Sequence, residues 1–306
     1  MRNNKAAHGK KGKLIVILGP TASGKSEFAV KLAKKLKGEI ISADSRQVYK
    51  GLDIGTAKVK GEWVGGRFIF KGIPHYCIDF VSPKKVFSVR DFIKFAEEAI
   101  TSIYRSGKIP FVVGGTAFYI SAFVDGIILP EVPPNVKLRK KLSNYSTNQL
   151  FNYLTKLDPE RAKTIDQKNK RRLIRALEIV AAIEKVPPLS TSDVDRRKKY
   201  TSNFIGLKTA PEKLKKRIKK RTRDMIRRGL TREVSSLHRS GLSWKRIYEF
   251  GFEYKYPALY LQKKISKTEM ISSINKESID YTRRQMLWWK NDKRIHWIST
   301  APVSRN

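Results

Sequence analysis

The stretch that decides the fold is KLIVILGPTASGKS, residues 13–26. Its first part, residues 13–18, is a short apolar run that is typical of a buried parallel strand. Its second part, residues 19–26, fits the pattern G-x-x-x-x-G-K-[ST] of a phosphate-binding loop. Residues 26–36 carry apolar side chains at helical spacing, so a helix is predicted after the loop. The stretch predicts a polyphosphate site in an α/β domain and leaves open whether the ligand is a nucleotide.

This phosphate loop supplies several groups that hold anions. Glycines let successive backbone N–H groups turn toward phosphate oxygens, and the N-terminus of the following helix adds its dipole. Lys25 adds a positive charge, and Ser26 offers a hydroxyl group to Mg²⁺, the predicted cofactor. The loop residues are Gly19, Pro20, Thr21, Ala22, Ser23, Gly24, Lys25 and Ser26.

Further strands and helices alternate on the C-terminal side of the loop. Residues 39–43 and 109–113 are short apolar runs that predict a second and a third strand. A helix is predicted over 87–106, opened by a capping box of Ser88 and Asp91. This alternation favours an α/β fold, a P-loop core with a parallel doubly wound sheet.

Two polar positions follow the predicted strands. Asp44 follows the second strand and Thr116 follows the third, within Gly114-Gly115-Thr116. Ligands of open α/β sheets lie beyond the carboxyl ends of the strands, so both residues are expected at one crevice. Asp44 can contact Mg²⁺ or accept a proton from an attacking group, and a helix N-cap is the structural alternative.

The pattern changes near Gly126, where predicted strands give way to a helical, basic segment. We interpret residues 1–12 as a disordered basic tail and residues 13–125 with 201–306 as the P-loop core domain. Residues 126–200 are interpreted as a helical insertion domain. The second part of the core contains one more predicted strand, 204–207, and a strongly basic helix, 211–229.

Arg221 lies on the apolar stripe of that basic helix. Leu214, Ile218 and Met225 share its helical face. A guanidinium that points inward is costly unless it meets an anion. A buried salt bridge and a substrate diphosphate both remain open as the partner.

The chain is strongly basic. It holds 65 Lys+Arg and 27 Asp+Glu, a formal charge of +38. Residues 137–232 alone carry 29 basic and nine acidic residues, more than half of the excess. Such clustering favours a nucleic-acid surface, with a lineage that favours lysine as the alternative. The basic run Lys170–Arg175 is either a phosphate contact or an exposed helix face.

Other features of composition restrict the setting. The apolar runs are too short to cross a bilayer, and no secretory signal precedes the first strand. Cys77 is the single cysteine, which rules out an internal disulfide and a cysteine-rich metal site. We therefore expect a cytoplasmic protein, and a monomer by default.

The run ISADSRQVYKGLDIGTAK, residues 41–58, carries a family resemblance together with the loop GPTASGKS. Both closely resemble bacterial tRNA dimethylallyltransferases (isopentenyl-tRNA transferases). The similarity continues through residues 72–75, 107–116 and 171–178 and into Arg283-Arg284-Gln285, and so spans nearly the whole chain after residue 13.

The resemblance implies a reaction and roles for individual residues. The phosphate loop would bind the diphosphate of dimethylallyl diphosphate, with Thr21 near the bridging oxygen and Ser26 near Mg²⁺. Asp44 would act as general base on the exocyclic N6 amine of adenosine 37 in tRNA, and Arg221 would bind the leaving diphosphate. Residues implied to contact tRNA are Asp44, Ser45, Arg46, Gln47, Thr116, Arg139, Arg171, Arg172, Leu173, Ile174 and Arg175.

One motif departs from the family. Its glycine-tyrosine-basic motif stands here as Gly251-Phe252-Glu253-Tyr254, without the basic residue. The cation that the family places at this motif is therefore replaced by the acidic side chain of Glu253.

Three other functions would each explain part of this sequence. A P-loop small-molecule kinase using ATP would share the loop and Asp44, but it does not explain the basic insertion or residues 55–58. A non-enzymatic RNA-binding protein does not explain an intact loop with Asp44 and Arg221. An adenylate prenyltransferase would share the chemistry, and the charge cluster at 137–232 favours tRNA over a free nucleotide.

Overall fold

The computed structural model describes residues 12–187 and 200–299. The chain divides into two compact units, with boundaries after Asp125 and after Arg197. We call residues 126–197 the insertion unit and the rest the core unit. The predicted tail lies outside the described residues except for Gly12, which begins the first strand. Tyr200 was predicted to close the insertion, but it begins a strand of the core unit.

The described part of the core unit contains an eight-stranded sheet. Its strands are β1 (Gly12–Leu18), β2 (Gly38–Ser42), β3 (Glu62–Val64), β4 (Arg67–Phe70), β5 (Ile73–Tyr76), β6 (Ile109–Val113), β7 (Tyr200–Lys208) and β8 (Ile295–Ser299). They lie in the order β3-β4-β5-β2-β6-β1-β7-β8. All neighbours pair in parallel except for the antiparallel pairs β3–β4 and β4–β5 at one edge.

Twelve helices occur in the described residues. They are α1 (Lys25–Lys35), α2 (Val89–Arg105), α3 (Ala117–Val124), α4 (Val136–Ser143), α5 (Thr147–Leu157), α6 (Pro159–Thr164), α7 (Lys170–Ile183), α8 (Pro211–Arg227), α9 (Leu230–Arg239), α10 (Trp244–Glu249), α11 (Phe252–Leu261) and α12 (Lys267–Trp289). The predicted capping box opens α2, where the Asp91 carboxylate accepts the Ser88 N–H at 2.8 Å.

The sheet buries apolar side chains on both faces, and β1 shows this by its alternation. Leu14, Val16 and Leu18 pack in a cluster with residues of α2 and α3. Ile15 and Ile17 point to the other face, where they pack in a cluster with residues of α1. Because successive side chains of a strand alternate, a fully apolar strand requires helices on both sides. The prediction of an α/β fold with a doubly wound parallel sheet is confirmed.

The C-terminal helices form a further core around the segment that follows β2. Val48, Tyr49 and Leu52 pack in a cluster with apolar residues of α8 to α12. This packing fixes the segment after β2 between the sheet and the last third of the chain. The residues just beyond the carboxyl end of β2 are therefore followed directly by a segment that is packed in a buried cluster.

The insertion unit contains helices α4 to α7 and no strand over residues 126–187. Its own core joins α5, α6 and α7, with Leu150, Leu154 and Leu173 fully buried. Among the described residues of the whole chain, no helix is both long enough and apolar enough to span a bilayer.

Candidate active site

The ends of β1, β2 and β6 open on a cleft of the core unit with a volume of about 490 Å³. The lining comes from the phosphate loop, from the segments after β2 and β6, from α8, from the start of α11 and from α12. The cleft thus lies beyond the carboxyl ends of parallel strands, where open α/β sheets bind ligands.

The phosphate loop takes a tight path between β1 and α1. Gly19 has φ of 142°, and a Cβ there would lie 2.7 Å from the Leu207 carbonyl oxygen on β7, so the position requires glycine. Lys25 Nζ donates to the carbonyl oxygens of Gly19 at 2.9 Å and Pro20 at 2.8 Å. The loop therefore curls around the ammonium group at the N-terminus of α1.

The surroundings of Lys25 disfavour its charged form. Burial lowers the pKa of Lys25 to about 8, Asp44 opposes this shift, and Arg221 adds to it. A bound diphosphate would favour the charged form again, because an anion close to the ammonium stabilises it.

Asp44 has one oxygen engaged and one oxygen available. Its Oδ1 accepts the N–H groups of Arg46 at 2.9 Å and Gln47 at 3.2 Å. These residues form a turn and no helix, so the alternative of a helix N-cap is wrong. Oδ2 receives no hydrogen bond from the residues that the structure describes. Asp44 is thus held in place while one oxygen stays available to the cleft.

The ends of β2 and β6 are joined by a hydrogen bond. Thr116 Oγ1 accepts the Ser45 N–H at 3.1 Å. Gln47, two residues later, donates from Nε2 to the Thr56 carbonyl oxygen at 3.2 Å. The predicted residues Asp44, Ser45, Arg46, Gln47 and Thr116 all line the cleft.

The segment around residues 52–58 supports this wall from behind. Lys58 is buried, and its Nζ donates to the Tyr49 carbonyl oxygen and to Asp53 at 2.7 Å each, and to Asp79 at 2.6 Å. The Glu233 carboxylate on α9 accepts three successive N–H groups, from residues 53–55. The run GTAK that resembles the family therefore shapes the cleft wall rather than supplying a free cation.

Arg221 points to the cleft from the buried side of α8. Leu214, Ile218 and Met225 are buried, which confirms the apolar stripe. Arg221 lines the cleft and forms neither an ion pair nor a hydrogen bond with any described residue. The alternative of a buried salt bridge is therefore wrong. Arg217, one turn earlier, reaches the carbonyl oxygens of Ala22 and Ser23 at 3.5 Å each.

Glu253 lies in the same cleft near the start of α11. Burial raises the pKa of Glu253 to about 7, with Arg221 lowering it and Asp44 raising it. Its carboxylate forms no ion pair within the described part of the chain. Close by, Phe252 and Tyr281 meet edge to face at a centroid distance of 6.3 Å and add an aromatic wall.

Gln285 on α12 belongs to the run Arg283-Arg284-Gln285 that resembles the family, but the sequence predicts no role for it. It is 4% exposed, and its Oε1 accepts the Thr21 N–H at 2.9 Å. Its Nε2 donates to the Gly115 carbonyl oxygen at 2.7 Å. The buried face of α12 runs Met270, Ile274, Ser278, Thr282, Gln285 and Trp289. The change from apolar to polar residues along that stripe is a second signal that points to Gln285.

The predicted residues of the insertion unit have different surroundings. Glu178 is 1% exposed and accepts from Arg139 Nε at 2.8 Å and Nη2 at 2.7 Å. Arg175 also donates to Glu178 and reaches the Val132 carbonyl oxygen at 2.8 Å. Contacts with tRNA at these positions stay predictions.

The other members of this predicted set differ in exposure. Arg171 and Arg172 are exposed and Ile174 is partly buried. Leu173 is fully buried in the core of the insertion unit. The side chain of Leu173 therefore supports α7 and presents no surface to a partner in this structure.

Two family models match the chain. The model described as IPP transferase matches residues 47–292, and the model described as Isopentenyl transferase matches residues 12–67. Among curated relatives, a tRNA dimethylallyltransferase of Staphylococcus epidermidis is 38% identical over 95% of this chain and 88% of its own. A tRNA dimethylallyltransferase 1 of Geotalea uraniireducens is 36% identical over 93% of this chain and 92% of its own.

Solved structures agree with these matches. The full-length tRNA isopentenylpyrophosphate transferase of Bacillus halodurans superposes with a TM-score of 0.67 at 35% identity, over 95% of this chain and 90% of that one. A eukaryotic dimethylallyltransferase, solved in snapshots of its action on tRNA, superposes with a TM-score of 0.75 at 27% identity, over 96% of this chain and 75% of that one. The chain therefore belongs to the IPP transferase family of prenyltransferases.

Proposed function

We propose that this enzyme transfers the dimethylallyl group of dimethylallyl diphosphate to the exocyclic N6 amine of adenosine 37 in tRNA and releases diphosphate. One observation carries the proposal. A single cleft of the core unit holds a phosphate loop, a guanidinium that pairs with none of the described residues and a carboxylate with an available oxygen.

The donor end of the cleft is suited to a leaving diphosphate. The C1–O bond of the allylic donor breaks, and its electron pair leaves on the bridging oxygen. Lys25, Arg221 and the N–H groups of the loop stabilise that growing charge, and the Thr21 hydroxyl lies on the same loop. Preorganised donors of this kind commonly contribute more to the rate than any other single effect.

Mg²⁺ fits the donor end. Ser26 is exposed at the start of α1, and its hydroxyl oxygen is the kind of ligand that Mg²⁺ prefers. No cluster of three His, Cys, Asp or Glu residues suited to a metal occurs in the described part of the chain. Mg²⁺ commonly binds through one or two protein oxygens together with substrate phosphates and water, which matches this site. When bound, it would supply further charge stabilisation to the diphosphate.

The acceptor end supplies the base. The exocyclic amine of adenine is a poor nucleophile because its lone pair is delocalised into the ring. Asp44 Oδ2 takes the amine proton while the new N6–C1 bond forms, which is general base catalysis. Ser45, Gln47 and Thr116 surround that carboxylate and offer hydrogen bonds to an adenine edge. The base must leave its stack to reach the cleft, at a cost of a few kcal/mol.

Contacts with the tRNA backbone would offset that cost. The insertion unit supplies exposed cations such as Arg171 and Arg172 on α7. The Glu178 carboxylate fixes the orientation of Arg139 and Arg175, which lowers the entropy they would lose on binding phosphate. We expect the enzyme to bind tRNA in a salt-dependent manner, to act in the cytoplasm and to be a monomer.

The experiment measures transfer of the radiolabelled dimethylallyl group from dimethylallyl diphosphate to unmodified tRNA. Asp44→Asn should lower kcat by about 10²–10⁴-fold, since it removes the base but retains the shape. Asp224→Asn is the matched control, because Asp224 is a carboxylate of α8 outside the cleft lining. A tRNA with guanosine at position 37 should take up no label.

Other products would contradict the proposal. Labelled adenylate without labelled tRNA would indicate an adenylate prenyltransferase. Consumption of ATP with phosphate transfer to a small molecule would indicate a kinase. Full activity of Asp44→Asn would remove Asp44 from the role of base.

A further inference from the structure

We propose that Gln285 is a positioning residue, whose side-chain amide sets the placement of the phosphate loop relative to the acceptor side of the cleft. The proposal rests on the proposed function, because it assigns Gln285 to the alignment of the two substrates of that reaction. It concerns a residue that binds no substrate itself in this scheme and acts through Thr21 and Gly115.

The amide of Gln285 meets two partners of opposite kind. The Thr21 N–H can only donate, and it lies 2.9 Å from Oε1. The Gly115 carbonyl oxygen can only accept, and it lies 2.7 Å from Nε2. Only a side chain with both a donor and an acceptor satisfies both groups. Glutamate in its ionised form would lose the bond to Gly115, and leucine would lose both.

The single residue Gln285 joins the side of the cleft that holds the prenyl donor to the side that holds the adenine. Thr21 belongs to the phosphate loop, and Gly115 follows β6 directly before Thr116. Thr116 Oγ1 accepts the Ser45 N–H at 3.1 Å, and Ser45 adjoins Asp44. A continuous path of hydrogen bonds and short backbone steps therefore runs from the diphosphate loop to the predicted base.

The Gln285 amide packs closely against the backbone at Gly115. A Cβ at this glycine would lie 2.5 Å from Gln285 Nε2, and its other neighbours would lie at 3.8 Å or beyond. The amide group thus contacts the backbone directly. Because Gln285 is almost fully buried, both of its bonds are shielded from water, and loss of either one leaves a buried polar group unpaired.

The reaction makes such alignment valuable. Attack needs the amine nitrogen and the allylic carbon in line with the leaving oxygen, and the two reactants are held by different segments. A displacement of about 1 Å between reacting groups can cost on the order of 10²-fold in rate. A residue that bridges the two segments therefore controls kcat more than the affinity for either substrate.

The experiment compares Gln285→Leu with wild type. We expect kcat for tRNA prenylation to fall by about 30- to 100-fold. The Kd of inorganic diphosphate, used as the probe, should change by less than about threefold, since the other loop groups remain. Gln262→Leu is the matched control, because that amide also makes two hydrogen bonds, to Tyr248 and Ala258, but lies outside the cleft.

A second variant tests the same contact from the other side. Gly115→Ala should displace the amide and lower kcat by about tenfold or more in the wild-type background. In the Gln285→Ala background the added methyl group meets no amide, so the same change should have little further effect. Hydrogen exchange at the Thr21 N–H should be slow in wild type and fast in Gln285→Leu.

The outcomes are separable. An unchanged kcat in Gln285→Leu, or additive effects of the two changes, would overturn the proposal. So would a loss of diphosphate affinity equal to the loss of kcat/KM, or a matching loss in Gln262→Leu. If wild type labels no tRNA, the proposed function fails and the positioning role fails with it. The exchange of the Thr21 N–H would then still report whether the contact exists.

Discussion

The cleft and the insertion unit both contain arginine and glutamate, but they use them in opposite ways. In the insertion unit, Arg139 and Arg175 converge on Glu178, which also accepts the Asn135 N–H at 2.6 Å. In the cleft, Arg221 and Glu253 line the same cavity, and neither forms an ion pair with a described residue.

The two glutamates show the difference in their pKa values. Burial acts to raise the pKa of Glu178, but hydrogen bonds from Arg139 and Arg175 outweigh it and lower the pKa to about 2. Burial raises the pKa of Glu253 to about 7, and the charge of Arg221 and a hydrogen bond from the backbone N–H of Glu253 itself offset only part of that shift. Paired arginines therefore stabilise the fold of the insertion unit, whereas the cleft keeps Arg221 available for an anion.

Among the tests of this comparison, Arg221→Gln has the largest expected effect. If Arg221 serves the diphosphate, its loss should lower kcat/KM by about 10²–10³-fold, as for other donors to a developing anion. Folding stability should change little, because Arg221 forms no ion pair or hydrogen bond with a described residue, and relief of its repulsion of Lys25 offsets the loss of its attraction to Glu253. Steady-state transfer of the prenyl group and thermal unfolding measure the two effects.

Arg223→Gln is the control for that test. Arg223 is exposed on the same helix and lies outside the cleft lining. Equal losses of activity in both variants would show that α8 acts through its overall charge. A marked loss of stability in Arg221→Gln would reveal a protein partner and break the comparison.

Glu178→Gln tests the comparison at the paired arginines of the insertion unit. Its removal leaves two arginines without their counter-charge, and we expect a loss of about 1–3 kcal/mol in the free energy of unfolding. The lower part of that range applies if the arginines, which are partly exposed, turn to water. Urea unfolding at pH 7 measures the loss, and the affinity for inorganic diphosphate should not change.

The pH dependence of wild-type folding stability tests the contribution of Glu178 independently. The folded-state pKa of Glu178 lies below its unfolded value near 4.5, so its stabilisation is present above pH 4.5 and is lost as pH falls toward 2. Glu160→Gln is the control, because Glu160 is 82% exposed in its pair with Lys163 and should contribute little. A similar loss in both variants would contradict a special role for Glu178.

The sequence predicts what is local in this molecule. The strand, loop and helix of residues 12–35 follow one another within a single motif, so their spacing suffices. Asp44 could be placed because it directly follows a buried strand, and Arg221 because it interrupts an apolar stripe on one helix. In each case the signal lies within about ten residues of the functional group.

Contacts across the chain could not be predicted in the same way. Gln285 bonds to Thr21 across 264 residues, and Glu233 holds the N–H groups of residues 53–55 from α9. The short strands β3 and β8 have three and five residues and depend on neighbouring strands for their pairing. The counter-charge of Arg139 lies 39 positions away at Glu178, so its structural role was not visible in a count of basic residues.

Glu253→Gln has the smallest expected effect and completes the comparison. The folded-state pKa of Glu253 lies above its unfolded value, so the stability it contributes is present below pH 4.5 and is lost as pH rises through about 7. Replacing it with a neutral amide should therefore raise the free energy of unfolding at pH 8 by about 1 kcal/mol, after allowance for partial exposure. At pH 4 the variant and wild type should unfold at the same temperature. Glu62→Gln, an exposed change on β3, should have no effect at either pH.

Combining this change with Arg221→Gln sharpens the result. Arg221 lowers the pKa of Glu253, so without Arg221 the buried carboxylate is costlier at pH 8. The gain from Glu253→Gln should then be larger in the Arg221→Gln background than in wild type, as a thermodynamic cycle would measure. An equal gain at pH 4 and pH 8 would mean that the substitution improves packing rather than removing a charge. In that case the charge of Glu253 would not be what distinguishes it from Glu178, whose charge is paired with two arginines.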